Sequence, residues 1–446
     1  MISFCYRVFA VFFLLQPVDL IAQNRRPVPD HSSWVLDQKL WETTMTDLAK
    51  KNPMMRFKFL SANQRGLRSP IRGRLFGVPT GEVLVKGAEK GGKIEGVTIS
   101  IFNRGDDRAI SIADMNQRFA TIGRVLSEKT KSEPRDRSQS KAVNLKSLMW
   151  TSGKSAYLLE MSSSRSTAEF LRLRVAPVGK ASKETKTVNR RRLSQNVVRE
   201  TNGDVWIKNI PMVDQGRKGY CACATAARIY QYYGLETTQH EIAQIAQAGP
   251  QTGTLPSLMV SALKKVTTKM DSRVLTLYEY PKGIAETNVR SSKYLSGIKE
   301  VNSDVNKYQA LAKKMGVGAL TINGERGGKV SRNTAISIFA ARQMMKGDIF
   351  REVMVKKSNY SRFQSQIRKY IREGVPIAWS LQLGMFPEKG LPQARGGHMR
   401  LIIGYNERTK EVIYSDSWGA GHERKKMPMA NAYCMSNLLL ALPPLH

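Results

Sequence analysis

The chain has 446 residues, of which 41% are hydrophobic and 24% charged, and carries a formal net charge of +35. That balance excludes a natively disordered chain, and the length is enough for two domains with full cores. Four cysteines exclude a small disulfide-framed scaffold.

At the N-terminus, Arg7 precedes the apolar run Val8 to Leu15, followed by Leu20-Ile21-Ala22 and a polar Gln23. The run suits a signal peptide over 1–22, cleaved after Ala22, better than a spanning helix. No later stretch is apolar enough to span a bilayer. The expected location is therefore secreted, or in the periplasm or cell envelope.

Residues 23–176 read as an α+β domain. Trp34 to Lys51 has Leu36, Leu40, Trp41, Met45 and Leu48 on or near one face, the pattern of an amphipathic helix. Residues 54–125 carry strand-like pieces at Met54 to Leu60, Gly81 to Lys86 and Gly96 to Phe102, with a turn at Asn103-Arg104-Gly105-Asp106. Glu128 to Lys141 is charged and reads as a loop. Ser155 to Met161 and Ala168 to Ala176 read as two further strands. Nothing in this half names a function.

Residues 177–200 are rich in Lys, Arg, Ser and Thr and nearly lack large apolar side chains, so a flexible basic linker is expected. Its Arg190-Arg191-Arg192 run is a candidate processing site.

The chemistry concentrates in 201–446. Gln215 stands six residues before Cys221, and Gly216 and Gly219 mark a turn between them. Ala222 to Tyr233 has helical spacing of Ala224, Ala227, Ile229 and Tyr230, closed by Gly234. Cys221 thus sits at a helix N-terminus, where the dipole and free N–H groups favour a thiolate. Helices are also expected at His240 to Ala248, Leu255 to Lys265, Tyr308 to Gly316 and Tyr360 to Glu373. Arg273 to Tyr280 reads as a strand. Val375 to Leu383, Met399 to Tyr405 and Val412 to Ser415 are short apolar runs of the buried-strand type. His398 then opens one strand and Asp416 closes the next, so a hairpin brings them together.

These residue types have a shared chemical logic. An imidazole holds a thiol as thiolate, a carboxylate behind the imidazole fixes its orientation, and a Gln side chain beside the Cys backbone N–H stabilises an oxyanion. Cys221 is the candidate nucleophile, His398 the acid and base, Asp416 the orienter and Gln215 the oxyanion donor. Gly396 and Gly397 leave room for a substrate backbone. His240 is expected on a helix surface and His422 near the cleft in a surface role.

The segments KGYCACATAARIYQYYG, GGHMRLIIGYN and YSDSWG resemble the motifs of the papain-like cysteine peptidase superfamily, most nearly the bacterial bacteriocin-processing, double-glycine peptidase-like group in secreted form. The resemblance covers the last 245 residues or so. It implies a domain in which an N-terminal helix bears the Cys and an antiparallel sheet bears His and Asp, preceded here by the smaller α+β domain. It places the family's catalytic residues on Cys221, His398, Asp416 and Gln215, and its shielding tryptophan on Trp418, beside the substrate positions Gly396 and Gly397. This chain departs from the papain signature, because Cys221 is first in Cys-Ala-Cys rather than second in Cys-x-x-Cys. The 177 residues from Cys221 to His398 exceed the roughly 130–150 of papain-type chains, which implies an insertion within 281–360.

The resemblance implies a peptide or protein substrate and no cofactor. Cys-x-Cys with one distant His is poor zinc spacing, so no metal is expected. Cys223 and Cys434 are expected as buried thiols, with a disulfide between them as the alternative. The positive charge suits an anionic surface or polymer, but no nucleic-acid motif accompanies it and no specific nucleic-acid site is expected. Two other readings stay open. The same triad serves a transglutaminase-like acyl transferase, and a papain-like fold also serves as an inactive binding scaffold.

Overall fold

The computed structural model describes residues 27–445 apart from 89–90, 139–142, 182–188, 250–255, 270, 323–324, 331–340, 389–390 and 392–394. The expected signal peptide and part of the expected linker lie outside the described residues. The chain is α+β, built on two large antiparallel sheets with separate apolar cores.

The first sheet has eight strands in the order Lys58–Phe59, Gly66–Ser69, Val83–Gly87, Ile94–Asn103, Thr167–Pro177, Ser155–Ser164, Leu145–Ser152 and Arg135–Asp136. Val83 and Val85 point inward between less buried neighbours, as period-two alternation requires. Across one face lies the helix Ile112–Thr130, whose Met115, Phe119, Ile122 and Leu126 join Trp150, Leu159, Leu171 and Leu173 in the core.

That helix corrects the strand-like reading of 54–125 over its last part. Its signal was local: Ser111 and Asp114 form a capping box, and the four apolar residues recur every three or four positions. The single helix expected over Trp34 to Lys51 is instead three short ones, Ser32–Leu36, Gln38–Glu42 and Met45–Lys51. Asp37 accepts from the Lys39 N–H and Thr44 from the Asp47 N–H, so each side chain starts a new helix where a continuous one would run.

The linker reading also needs correction. Arg190–Asn196 is a 3-10 helix and Val197–Arg199 is the first strand of the second sheet. Leu193 is fully buried, and its carbonyl lies so close to Gly374 that no Cβ fits there. One large apolar side chain in a polar segment is enough to seat it.

In the second sheet the order is Val197–Arg199, Asp204–Ile207, Gly396–Asn406, Ile377–Leu383, Ser436–Ala441 and Leu275–Glu279. Glu411–Ser415 pairs with Gly396–Asn406 and with Lys425–Pro428. The helix Cys221–Tyr232 packs on the strand Gly396–Asn406. Among the described residues, the segment 281–360 contains the helix Ser292–Lys314, the short strands Thr321–Ile322 and Glu325–Arg326, and the helix Gly347–Met354. The helix expected at Tyr308 to Gly316 is the end of the longer one, which Ser291 caps.

The two halves meet along the helix Gln239–Ala246. Arg172 bridges Glu160 of its own sheet and Glu241 of that helix at 2.7 Å each, and Ser162 bonds Gln244 at 2.9 Å. All three charged groups are buried, so each depends on the others for compensation.

Candidate active site

The strand pair Gly396–Asn406 and Glu411–Ser415 sets the first contact. Leu401 pairs with Ser415, so His398 and Asp416 project from the same end of the ladder. His398 Nε2 lies 2.7 Å from Asp416 Oδ1. Cys221 opens its helix against this strand, and His398, followed by the backbone of Met399 and Ala222, are the groups that act on its thiol. With Nε2 engaged by Asp416, the contact to the thiol falls to Nδ1.

Charge follows from this chain of contacts. Burial alone raises a thiol, yet the contact with His398 reverses the effect and holds Cys221 below its ordinary value. Burial alone lowers an imidazole, but the Asp416 carboxylate and the thiol raise His398 to about 9. Burial works against Asp416 as well; His398 and Arg400 overcome it and bring the carboxyl down to about 2. The arrangement favours thiolate, imidazolium and carboxylate in a row. Cys223 and Cys434 are free and buried, and each is pushed up to about 12, Cys223 by burial and the neighbouring Cys221, Cys434 by burial. They behave as apolar thiols.

The turn after Asp416 organises the rest. Trp418 stacks on His398 with ring centroids 4.7 Å apart and a 24° interplanar angle, covering one face of the imidazole. Ser417 donates to Gln215 Oε1 at 2.7 Å, and its carbonyl accepts the Gln215 backbone N–H at 2.8 Å. Gln215 Nε2 then faces the Lys218 carbonyl at 3.3 Å, which occupies one of its two N–H bonds and leaves the other without a partner among the described residues. At Gly396 and Gly397 an added Cβ would meet no atom within 4 Å, so open space adjoins the start of the His398 strand; Gly396 has φ +136.

Three positioning residues were not anticipated. Arg400 is fully buried; its Nε donates to Asp416 Oδ2 at 2.6 Å and its Nη1 to Glu388 at 2.8 Å. Its guanidinium lies 4.6 Å from the Tyr414 ring centroid. The available signal was a cation two residues after His398 in an apolar strand, hence on the same face. Arg228, seven residues after Cys221 on the same helix, donates to the carbonyls of Pro211 and Asp416 and to Ser415 Oγ at 2.8, 2.9 and 2.5 Å. It ties the Cys221 helix to the Asp416 strand. Ser417 is the third. Its replacement by alanine is expected to slow acylation of Cys221 by 4-nitrophenyl acetate about ten-fold, because the Gln215 amide loses the partner that orients it. Alkylation by iodoacetamide, which forms no oxyanion, should not change; equal losses with both reagents would refute the assignment.

His240 departs from its expected surface position. Its ring is enclosed at the seam between the halves, with Asn103 Nδ2 2.6 Å from Nδ1 and Glu82 3.7 Å from Nε2. Glu82, Asp106 and His240 are a group whose potential ligand atoms lie within 4.8 Å of one another. Lys218 on Asp106 and Arg68 on Glu82 already answer its charge at 2.6 and 2.8 Å. His422 packs edge-on to Trp418 with centroids 5.6 Å apart and is half-buried, and its carbonyl accepts the Asp416 N–H.

Residues 303–436 match the family model described as Peptidase_C39 like family. The match includes His398 and Asp416 and begins after Gln215 and Cys221. Among solved structures, the chain is similar to xylellain, a cysteine protease from Xylella fastidiosa, at 14% identity over 58% of this chain and 91% of that one, with a TM-score of 0.23. No curated protein matches. Among the described residues, no helix is long and apolar enough to cross a membrane.

Proposed function

We propose that the C-terminal part of this chain is a papain-like cysteine peptidase domain, and that the protein is an exported enzyme that hydrolyses peptide bonds through a thioester acyl-enzyme. The observation that carries this reading is the His398–Asp416 pair at 2.7 Å on the strand against which the Cys221 helix packs, with His398 lowering the Cys221 thiol. The Cys221 thiolate adds to the carbonyl carbon, and the carbonyl π electrons pass to oxygen. That oxyanion receives the free N–H of Gln215 Nε2 and the backbone N–H of Cys221. His398 gives its Nδ1 proton to the amine as the C–N bond breaks, leaving the thioester. It then takes a proton from water, whose oxygen adds to the thioester carbonyl and expels the Cys221 thiolate, restoring the ion pair and releasing the acid. Asp416 holds the ring in place, and Trp418 keeps water from the His398–Asp416 bond.

Electrophilic labelling tests the reading without a known substrate. Iodoacetamide should alkylate Cys221 fast at neutral pH, well below the ordinary thiol value of 9.0, because the imidazolium keeps the sulfur ionised. In His398→Ala the largest influence opposing burial is gone and only the Met399 and Ala222 backbone remains against it, so the labelling midpoint should move up. A wild-type protein that labels slowly, or a His398→Ala variant with the same pH profile, would refute it. Product masses with and without an added amine separate hydrolysis from acyl transfer.

A further inference from the structure

The loop from Asp214 to Tyr220 holds itself by few bonds. Gly216, at φ +69, donates its N–H to Asp214 Oδ1 at 2.8 Å. The Gln215 side chain and the Tyr220 N–H both depend on a single acceptor, the Lys218 carbonyl. Ser417 holds the Oε1 end of the Gln215 amide, and where Lys218 sits sets the Nε2 end that would serve as the oxyanion donor.

The first domain decides where Lys218 sits. Its side chain is 1% exposed, an unfavourable place for an ammonium without a counter-charge, and the counter-charge is Asp106 at 2.6 Å. At the other end of the loop, Arg68 spans Glu82 at 2.8 Å and Asp214 Oδ2 at 2.9 Å. Between them the Asn103–Asp106 turn lies on Tyr220, the residue before Cys221. A Cβ at Gly105 would come within 2.8 Å of the Tyr220 ring, so only glycine permits that approach. Arg104 fastens the same turn to the Ala248 carbonyl at 3.0 Å.

We propose that the first domain is a built-in positioning element for the oxyanion loop, with Arg68 and Asp106 acting on Gln215 through Asp214 and Lys218. The inference rests on the peptidase reading above. It assigns the first domain a role opposite to that of a removable pro-segment. Excision would leave Lys218 and Asp214 without their partners and misplace the donor.

The test compares two reagents on the full chain. In acylation by 4-nitrophenyl acetate the Cys221 thiolate adds to the carbonyl, the electron pair moves to oxygen, and collapse expels 4-nitrophenolate, so the rate depends on the oxyanion donors. Alkylation by iodoacetamide displaces iodide and forms no oxyanion. Asp106→Asn and Arg68→Gln should each lower the acylation rate about ten-fold while alkylation stays within about two-fold, since a donor is displaced but the ion pair is kept. Arg68→Lys should restore part of the loss. Unchanged acylation, faster acylation, or parallel loss with both reagents would overturn the inference. Slow alkylation of the wild-type protein would instead strike the peptidase reading, so the two failures are distinguishable.

Discussion

Cys221→Ala is expected to abolish turnover, by about 10⁵-fold or more, with the fold retained, whereas Cys223→Ala should keep activity within about two-fold. The two thiols are two residues apart, and sequence spacing from Gln215 alone favours Cys221. Their environments separate them further. Cys221 faces His398 and is held toward the thiolate, while Cys223 faces the core, is 3% exposed and titrates only near 12. Removing the Cys221 sulfur deletes the proposed nucleophile and takes little from the core, at whose edge it packs. Turnover assays with thermal unfolding of both variants check this. Loss of activity in Cys223→Ala with activity retained in Cys221→Ala would move the nucleophile.

Arg400→Met should have the second largest effect, destabilising the protein by about 3–5 kcal/mol because a buried cation is withdrawn from two carboxylates that stay buried. Among the described residues, Asp416 keeps His398 and the Ser417 N–H, and Glu388 keeps the Tyr414 hydroxyl at 2.5 Å. The pH dependence distinguishes this from simple loss of packing. Asp416 is depressed to about 2 from its ordinary 3.8, so its contribution to stability is present above 3.8 and is lost as pH falls toward 2. His398 is raised to about 9 from 6.5, so its contribution is full below 6.5 and is lost as pH rises through 9. Without Arg400 the Asp416 carboxyl moves up and the acid loss of Tm begins at higher pH. Arg400→Lys keeps the charge but not the fork that reaches both carboxylates, and should fall between. An acid limb identical to that of the wild type would show that Arg400 does not hold the Asp416 charge.

What could be read from the sequence depended on contacts between near neighbours in the chain. The helix opened by Cys221 is announced by Gly216, Gly219 and the spacing of its alanines, all within a few turns. The meeting of His398 and Asp416 is likewise local, since one hairpin joins strands only 18 residues apart at those positions. The break of Trp34–Lys51 at Asp37 and Thr44 and the helix begun by Ser111 were also written locally. At these positions side-chain capping overrides the apolar period.

Other features depend on distance in space. Lys218 and Asp106 are 112 residues apart, Ser417 and Gln215 are 202 apart, and Arg172 and Glu241 are 69 apart. A charged side chain carries no mark in the sequence of whether it will be solvated or buried against a counter-charge. His240 and Arg400 therefore read as surface or unremarked residues until packing removed their water. The order of the reacting groups and the elements that bear them were determined by the sequence itself. Which buried charges hold those groups, and that the first domain supplies two of them, was decided only by tertiary structure, because desolvation exists only once the halves have closed on each other.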